Sequence, residues 1–345
     1  MLENFIGGNK NSFGLDIGYS SIKTVELKKN GKFFSLVGYN ETAIPENSIK
    51  KNSITNKPEM IKAIRQAVSS TKPHKITLSS VCSAIPSSHV FTKILKLPQM
   101  KSEELDKAVY YEVADFFPIP VSEMNIDWHI MINSNSNKEI ELLVIGTSKT
   151  LVNDYIEIFS KSGLSLTALE TKPIANARAI FAEGKNEASV LVDIGSEATS
   201  ISFLDNNTIV ISTVVPVGSS ALTRDLAKTM DVTIEKAENA KKTNKFEFGK
   251  EDLITKNLAP IIQEIKDSIR YFEVRIERNG KINNIFLCGG GSQLHHLDKY
   301  IEKELKIPTT VANPWERIRL RPSDASSPKD ALKYTTAIGL AMREL

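Results

Sequence analysis

Apolar and polar positions alternate with period two along residues 14 to 45 and pause at Asn30-Gly31, which predicts a strand meander turning at that dipeptide. The period then lengthens. Met60, Ile61, Ile64 and Val68 recur at helical spacing over 58 to 70, and the strand-like run 76-ITLSSVCSAI-85 completes a first mixed sheet. Residues 88 to 169 read as strand 90-VFTKILKL-97, helix 103-EELDKAVYYEVADFF-117, strands 125-NIDWHIMI-132 and 139-EIELLVIG-146, helix 150-TLVNDYIEIFSKSG-163 and strand 164-LSLTALE-170. The polar stretch 133-NSNSNK-138 predicts a hairpin loop, and 321-RPSDASSPKD-330 predicts another loop. Helix 258 to 278 is the clearest, with Leu258, Ile261, Ile262, Ile265, Ile269, Phe272 and Ile276 on one core-facing stripe and Gly280 as its stop.

One phrase occurs twice. In 14-GLDIGYSSIK-23 and 191-LVDIGSEATS-200 an apolar strand runs into Asp, one residue intervenes, and Gly is followed by small, mostly hydroxylated positions. Asp16 and Gly18 answer Asp193 and Gly195 at an offset of 177 residues, which Phe33, Phe34 and Val37 keep against Val210, Ile211 and Val214. A lone Asp-x-Gly is an ordinary strand-end turn; two in register point to a phosphate clamp. Gly18 and Gly195 let the backbone N–H groups that follow, at Tyr19, Ser20 and Ser21 and at Ser196, Glu197 and Ala198, face phosphate oxygens. Asp16 and Asp193, opposed across a cleft, suit Mg²⁺ held through water. Lys23 adds a point charge for a β- or γ-phosphate, and Ser200 at the matching place makes that charge one-sided.

A third element follows the apolar strand 285-IFLC-288, where Gly289, Gly290, Gly291 and Ser292 lead into a helix carrying Leu294, Leu297, Ile301 and Leu305. Bare backbone there lets a base or ribose lie flat, and a helix N-terminus favours phosphate. The order of hairpin, hairpin and glycine-rich turn resembles the actin-like ATPase superfamily, which includes actin, heat-shock chaperone ATPases, sugar kinases, MreB and FtsA. The resemblance implies a two-lobed α/β fold of duplicated ribonuclease-H-like sheets, with ATP or ADP and Mg²⁺ between the lobes. It also implies linking helices at 169-LETKPIANARAIF-181 and 335-TTAIGLAMREL-345, and a phosphate-side turn at Gly218 in 218-GSSALTRDLAK-228, with Ser219 replacing the usual second glycine. The run 237-AENAK-241 is similar to the Ala-Glu-x-x-Lys of MreB and nominates Glu238 and Lys241 for the ribose, a solvated charged face being the other reading. Relatives place Gln or Glu in the first linking helix to position a water. Here 170-ETKP-173 puts Thr171 or Lys172 there and leaves Glu170 as a displaced catalytic candidate, so binding with slow or absent hydrolysis is expected.

Within the superfamily the chain resembles the PilM family of type IV pilus assembly. The likeness is carried by 97-LPQM-100, 112-EVADFFPIP-120, Asp127, 142-LLVIGTSK-149, 260-PIIQEIKDSIRYFE-273 and 308-PTTVANP-314. It implies a bacterial cytoplasmic adaptor, peripheral to the inner membrane, for pilus or type II secretion-like assembly. That adaptor would bind the N-terminal cytoplasmic peptide of a PilN-type bitopic protein and could associate into a ring. The implied division is 1–87 with 170–187 and 335–345 as first lobe, 88–169 as an inserted ferredoxin-like interaction subdomain, 188–230 with 280–334 as second lobe, and 231–279 as lid. Phe116, Phe117, Pro118 and Ile119 are the candidates for a peptide groove, with structural burial as the alternative.

Bulk properties narrow the rest. At 345 residues the chain exceeds one core, so two lobes are expected. Its 44 basic and 41 acidic residues leave a net +3, too small and dispersed for nucleic acid. Cys82 and Cys288 sit in apolar runs and read as buried thiols in a reducing compartment. No run approaches the ~20 apolar residues of a membrane span and 1-MLENFIGGNKNSFGL-15 lacks a leader's apolar core, so direct membrane insertion is not expected. His129 stands alone, and adjacent His295 and His296 point apart on a helix, so neither reads as a metal site. Two alternatives share the fold: an FtsA-like division adaptor, against which the stop at Leu345 counts because FtsA continues into an amphipathic helix, and a small-molecule kinase, which needs a cleft base. A nucleotide-free scaffold is the bland reading.

Overall fold

The computed structural model describes residues 11–50, 53–131, 139–181, 187–205, 208–243, 253–275, 281–319 and 330–343. The meander is present: β1 (Phe13–Ile17), β2 (Ser21–Asn30) and β3 (Phe33–Ala43) run antiparallel, turning at Gly31. Strands β4 (Ile49–Lys50) and β5 (Ser53–Ile54) pair ahead of α1 (Lys57–Ser69). Asn56 caps α1 by accepting from the Glu59 N–H at 3.2 Å, and Met60, Ala63, Ile64 and Ala67 form its buried stripe. β6 (Lys72–Pro73) pairs with β3, and β7 (Ser80–Ile85), starting at Ser80 rather than Ile76, lies parallel to β1.

β8 (Phe91–Pro98), α2 (Ser102–Glu112), β9 (Met124–Ile130) and β10 (Glu139–Ser148) form the insert, an antiparallel sheet in the order β8-β10-β9 with one helix. Alternation along β10 serves two cores. Leu142 and Val144 meet Leu95, Leu105, Val109 and Phe117 under α2, whereas Leu143 and Ile145 enter the core of the second lobe with Met131. α2 ends at Glu112, short of the expected Phe117. Phe117 precedes Pro118, which disfavours helical backbone there, and its ring is buried in the insert's core.

The expected division places 150–169 in this insert. α3 (Lys149–Lys161) and β11 (Ser165–Thr171) belong instead to the first sheet, because β11 pairs parallel with β7 and α3 buries Val152, Tyr155 and Phe159 against Met60 and Ile64 of α1. Lys57 ties the two helices through Asp154 and Glu157, each at 2.6 Å. A four-stranded ferredoxin-like unit is therefore not formed among the described residues.

The linking helix α4 (Lys172–Ile180) leads to β12 (Ser189–Ile194), β13 (Thr199–Asp205) and β14 (Thr208–Val215), then to α5 (Ser219–Met230), α6 (Ile234–Thr243) and α7 (Leu253–Arg275). The α7 stripe is core as expected, with Leu258, Ile261, Ile262, Ile265 and Phe272 buried. Its expected last members, Ile276 and Gly280, lie outside the described residues, as do the 133–138 loop and most of 321–330. β15 (Asn284–Cys288) precedes the glycine turn, and α8 (Leu297–Leu305) begins beyond it, later than the sequence indicated. β16 (Thr309–Val311), β17 (Ile318–Arg319) and α9 (Thr335–Ala341) complete the chain.

The first sheet runs β11-β7-β1-β2-β3-β17, the second β14-β13-β12-β15-β16. Both Asp-bearing strands share one parity. Phe13, Leu15 and Ile17 face α1 and α3, so Gly14 and Asp16 face the linking helices, and α9 crosses so near Gly14 that a Cβ there would stand 2.0 Å from the Ala337 carbonyl oxygen. On β12, Val190, Val192 and Ile194 face α5 and α7, which leaves Leu191 and Asp193 on the side of α4.

Candidate functional site

The two repeated turns have the same geometry. Gly18 N–H donates to the Ser21 carbonyl and Gly195 N–H to the Ala198 carbonyl, both at 3.0 Å. A Cβ at either glycine would press on that same carbonyl, at 2.8 Å and 2.9 Å, so both positions demand glycine for closeness of approach. Behind the turns, Asp16 pairs across its hairpin with Lys23, and Asp193 with Ser200. The one-sided lysine charge is thus a property of matched registers.

The turns face one cavity of about 600 Å³. Asp16, Gly18, Tyr19, Ser20, Ser21 and Lys23 line it from the first lobe, and Asp193, Gly195, Ser196, Glu197 and Ala198 from the second. Gly218, Ser219, Glu238, Lys241, Gly289, Gly290, Gly291 and Leu294 also line it. Two expected site residues are elsewhere. The Ser292 hydroxyl is buried on the Cys288 carbonyl, where it pins the glycine turn. Glu170 is buried under the linking helices: Arg178 grips its carboxylate at 2.6 and 2.8 Å and Arg343 adds a bond at 2.9 Å. With its oxygens so engaged away from the cavity, Glu170 cannot position a water there, which corrects its candidacy as a catalytic group.

At the cavity floor, Lys172 Nζ lies 2.7 Å from Asp16 Oδ1. Burial alone would lower the lysine pKa, but Asp16, with a further contribution from Asp193, outweighs it and raises it above the ordinary value. Burial also pushes the Asp193 carboxyl up, opposed by Lys172 and by Asn176, whose side-chain N–H donates to Oδ2 at 3.0 Å. Thr336 of α9 in turn donates to Asn176 Oδ1 at 2.8 Å, so the β12 tip is bonded to both linking helices in series. Lys23 donates to Ser21 Oγ at 2.7 Å; burial lowers its pKa despite Asp16 and Glu41. Lys333 pairs with Glu41 above it.

The Glu238–Lys241 pair of α6 is held together internally. Glu238 accepts from Thr223 at 2.7 Å and pairs with Lys241 at 2.6 Å, and Lys241 reaches back to the Ser219 carbonyl at 3.2 Å. These bonds fasten α6 to the start of α5 while leaving both residues on the cavity wall. Gly289 takes a φ of +81°, and a Cβ there would fall 2.2 Å from Asp193 Oδ1, so this glycine is needed to pack the turn against the acidic strand tip.

Asp16 is already neutralised by an ammonium and Asp193 is bonded by an amide, and among the described residues no group of three or more His, Cys, Asp or Glu side chains could hold a metal. The carboxylate pair therefore does not fit a divalent cation held directly on it. Sequence reasoning passed over Asn176, Glu41 and Lys333. A bulge between Glu26 and Leu27 shifts the β2–β3 register so that Lys23 meets Glu41 instead of Asn40, and counting back from Asn30-Gly31 misses it.

Two sheets built from one repeated hairpin, hinged by α4 and α9 around such a cleft, define the actin-like ATPase fold. A solved structure described as the PilM-PilN type IV pilus biogenesis complex superposes with a TM-score of 0.83 at 22% identity, over 98% of this chain and 99% of that one. Residues 14–345 match the family described as Type IV pilus assembly protein PilM, and the chain belongs to that family. MreB5 of Spiroplasma citri bound to ADP has the same fold more distantly, with a TM-score of 0.55 at 13% identity over 94% of this chain and 93% of that one. Cell division protein FtsA of Neisseria meningitidis serogroup B is 23% identical over 378 aligned positions, covering 94% of this chain and 88% of that protein. Among the described residues no helix is long and apolar enough to cross a membrane.

Proposed function

We propose that this chain is a nucleotide-binding adaptor of type IV pilus assembly, which holds ATP or ADP between its lobes and offers its insert to the N-terminal cytoplasmic peptide of a PilN-type membrane protein. The observation that carries the nucleotide reading is the pair of matching turns at Gly18 and Gly195, facing one cavity with Lys23 in its lining. The relative MreB5, whose structure is described as bound to ADP, supports it. Glu238, Lys241 and Leu294 would line the ribose and base end, and the Gly218 turn the phosphate end. Mg²⁺ enters this reading as a counter-ion carried on the phosphates. Slow or absent hydrolysis follows from Glu170 being locked by two arginines and Asn176 being committed to Asp193 and Thr336.

The insert is the docking element in this reading. Phe116 and Pro118 are exposed on it, as are Tyr110 and Tyr111, whereas Phe117 is core and Ile119 packs beside it, so Phe116 and Pro118 with their neighbours on α2 are the groove candidates in this reading. A ligand bound to both lobes stabilises the closed arrangement; at ~100 times its dissociation constant the gain is ~2.7 kcal/mol, or about 4 °C in Tm for a chain this long. The protein would then sit in the cytoplasm, held at the inner membrane by its partner. Differential scanning calorimetry with and without ATP or ADP tests the nucleotide half, and capture on immobilised PilN-type N-terminal peptide tests the other. An unmoved melting temperature with both nucleotides, or no capture in any nucleotide state, removes the corresponding half.

A further inference from the structure

Resting on the nucleotide reading above, we propose that the Lys172 ammonium supplies the positive charge that a divalent cation would bring to the Asp16–Asp193 pair, so that this cleft binds a nucleoside polyphosphate without needing metal. The ion pair is short and sheltered: Lys172 Nζ is 2.7 Å from Asp16 Oδ1, with the side chains 17% and 7% exposed. Lys172 is also the first residue of α4, where the partial positive charge of a helix N-terminus disfavours a cation. Its place there is not explained by helix stability. It is explained by two carboxylates that parity directs at the same spot.

The charges around the floor already balance. Asp16 and Asp193 lie beside Lys23 and Lys172, two carboxylates to two ammonium groups, and beyond them Lys333 is shared by Glu41 and Asp330. A triphosphate entering the cavity adds anionic oxygens beside lysines whose donors can be shared between carboxylate and phosphate. A hydrated divalent ion aimed at Asp16 would instead meet the ammonium within contact distance of the same oxygen. The lysine thus does electrostatically, and permanently, what a metal does transiently.

The test is titration of N-methylanthraniloyl-ATP into the full chain, followed by fluorescence, in excess Mg²⁺ and in excess EDTA. The wild-type affinity is expected to differ by less than about threefold between the two. Lys172→Met is expected to lose about tenfold or more in EDTA, the scale of one charge-assisted contact, and to recover in Mg²⁺. Lys172→Arg, which keeps the charge, should remain tolerant of EDTA. A tenfold loss of wild-type affinity in EDTA, or a Lys172→Met protein as indifferent to Mg²⁺ as the wild type, overturns the proposal. The wild-type comparison decides the matter even if a variant fails to fold, which its thermal melt would reveal. Wild-type protein that binds no nucleotide in either condition would instead sink the nucleotide reading itself, a separate pattern of results.

Discussion

Replacing Glu170 by Gln separates a structural from a catalytic role for the acid that sequence alone nominated. Glu170 is 2% exposed at the end of β11, and its carboxylate accepts three charged hydrogen bonds, two from Arg178 and one from Arg343. Arg178 also donates to the Gly339 carbonyl at 2.8 Å, so the acid holds the two linking helices against each other through one guanidinium. Gln is isosteric but carries no charge, and its amide N–H₂ would face a donor it cannot accept from. Removing one partner of a buried ion pair costs ~3–5 kcal/mol. Arg178 retains 24% of its side-chain exposure, which lets water compensate part of the loss, so the lower end of about 3 kcal/mol is expected. At ~2.1 cal/mol/K per residue of unfolding entropy, that lowers Tm by about 4 °C. Urea denaturation gives the free energy and calorimetry the Tm shift, and a double-mutant cycle with Arg178→Met should show the two losses to be far from additive. Nucleotide affinity measured on the folded variant should stay within about twofold of wild type, since Glu170 is not on the cavity wall. An unchanged Tm accompanied by loss of a measurable nucleotide turnover would refute this account and restore Glu170 to the chemistry.

Three further outcomes follow from the same geometry. Burial raises the Asp193 pKa, so the folded state binds that proton more tightly than the unfolded chain, and stability of the nucleotide-free protein should fall as pH rises from the ordinary aspartate range through the raised value. Asp193→Asn removes that slope; a calorimetric pH series that is the same for both proteins would contradict it. Gly289→Ala places a Cβ 2.2 Å from Asp193 Oδ1 at a φ of +81°, and should destabilise the protein by ~1–3 kcal/mol in urea titrations while weakening nucleotide binding. Tyr111→Ala, at a side chain 76% exposed, should leave Tm within about 1 °C yet reduce capture on the PilN-type peptide; equal capture would move the docking face off α2.

Much of the fold was legible before any coordinates. The doubled Asp-x-Gly phrase and the glycine-rich turn after an apolar strand foretold both hairpins and the two sheets, but the offset of 177 does not carry into the third strands, where Lys23 meets Glu41 and Ser200 meets Val214. Steric demand explains why: a backbone that approaches a carbonyl within van der Waals contact excludes every side chain, and that requirement is written locally. The α7 stripe was equally local, because helical burial is periodic along the chain.

Nonlocal choices were not legible. The strand 165–171 could join either the insert or the first sheet by pattern, and its parallel pairing with β7 decided the matter by burying α3 on α1. One bulge redirected Lys23 to Glu41, and the end of α2 turned on where Phe117 found a core. From its own residues the chain determined that two acidic strand tips and two glycine turns exist; only the packing of α4 and α9 decided that Lys172 neutralises one acid, Asn176 holds the other, and Glu170 serves the hinge. The reason is that charge pairing depends on distance in space, and residues 16, 172, 193 and 336 acquire their distances only when the two lobes close on the helices between them.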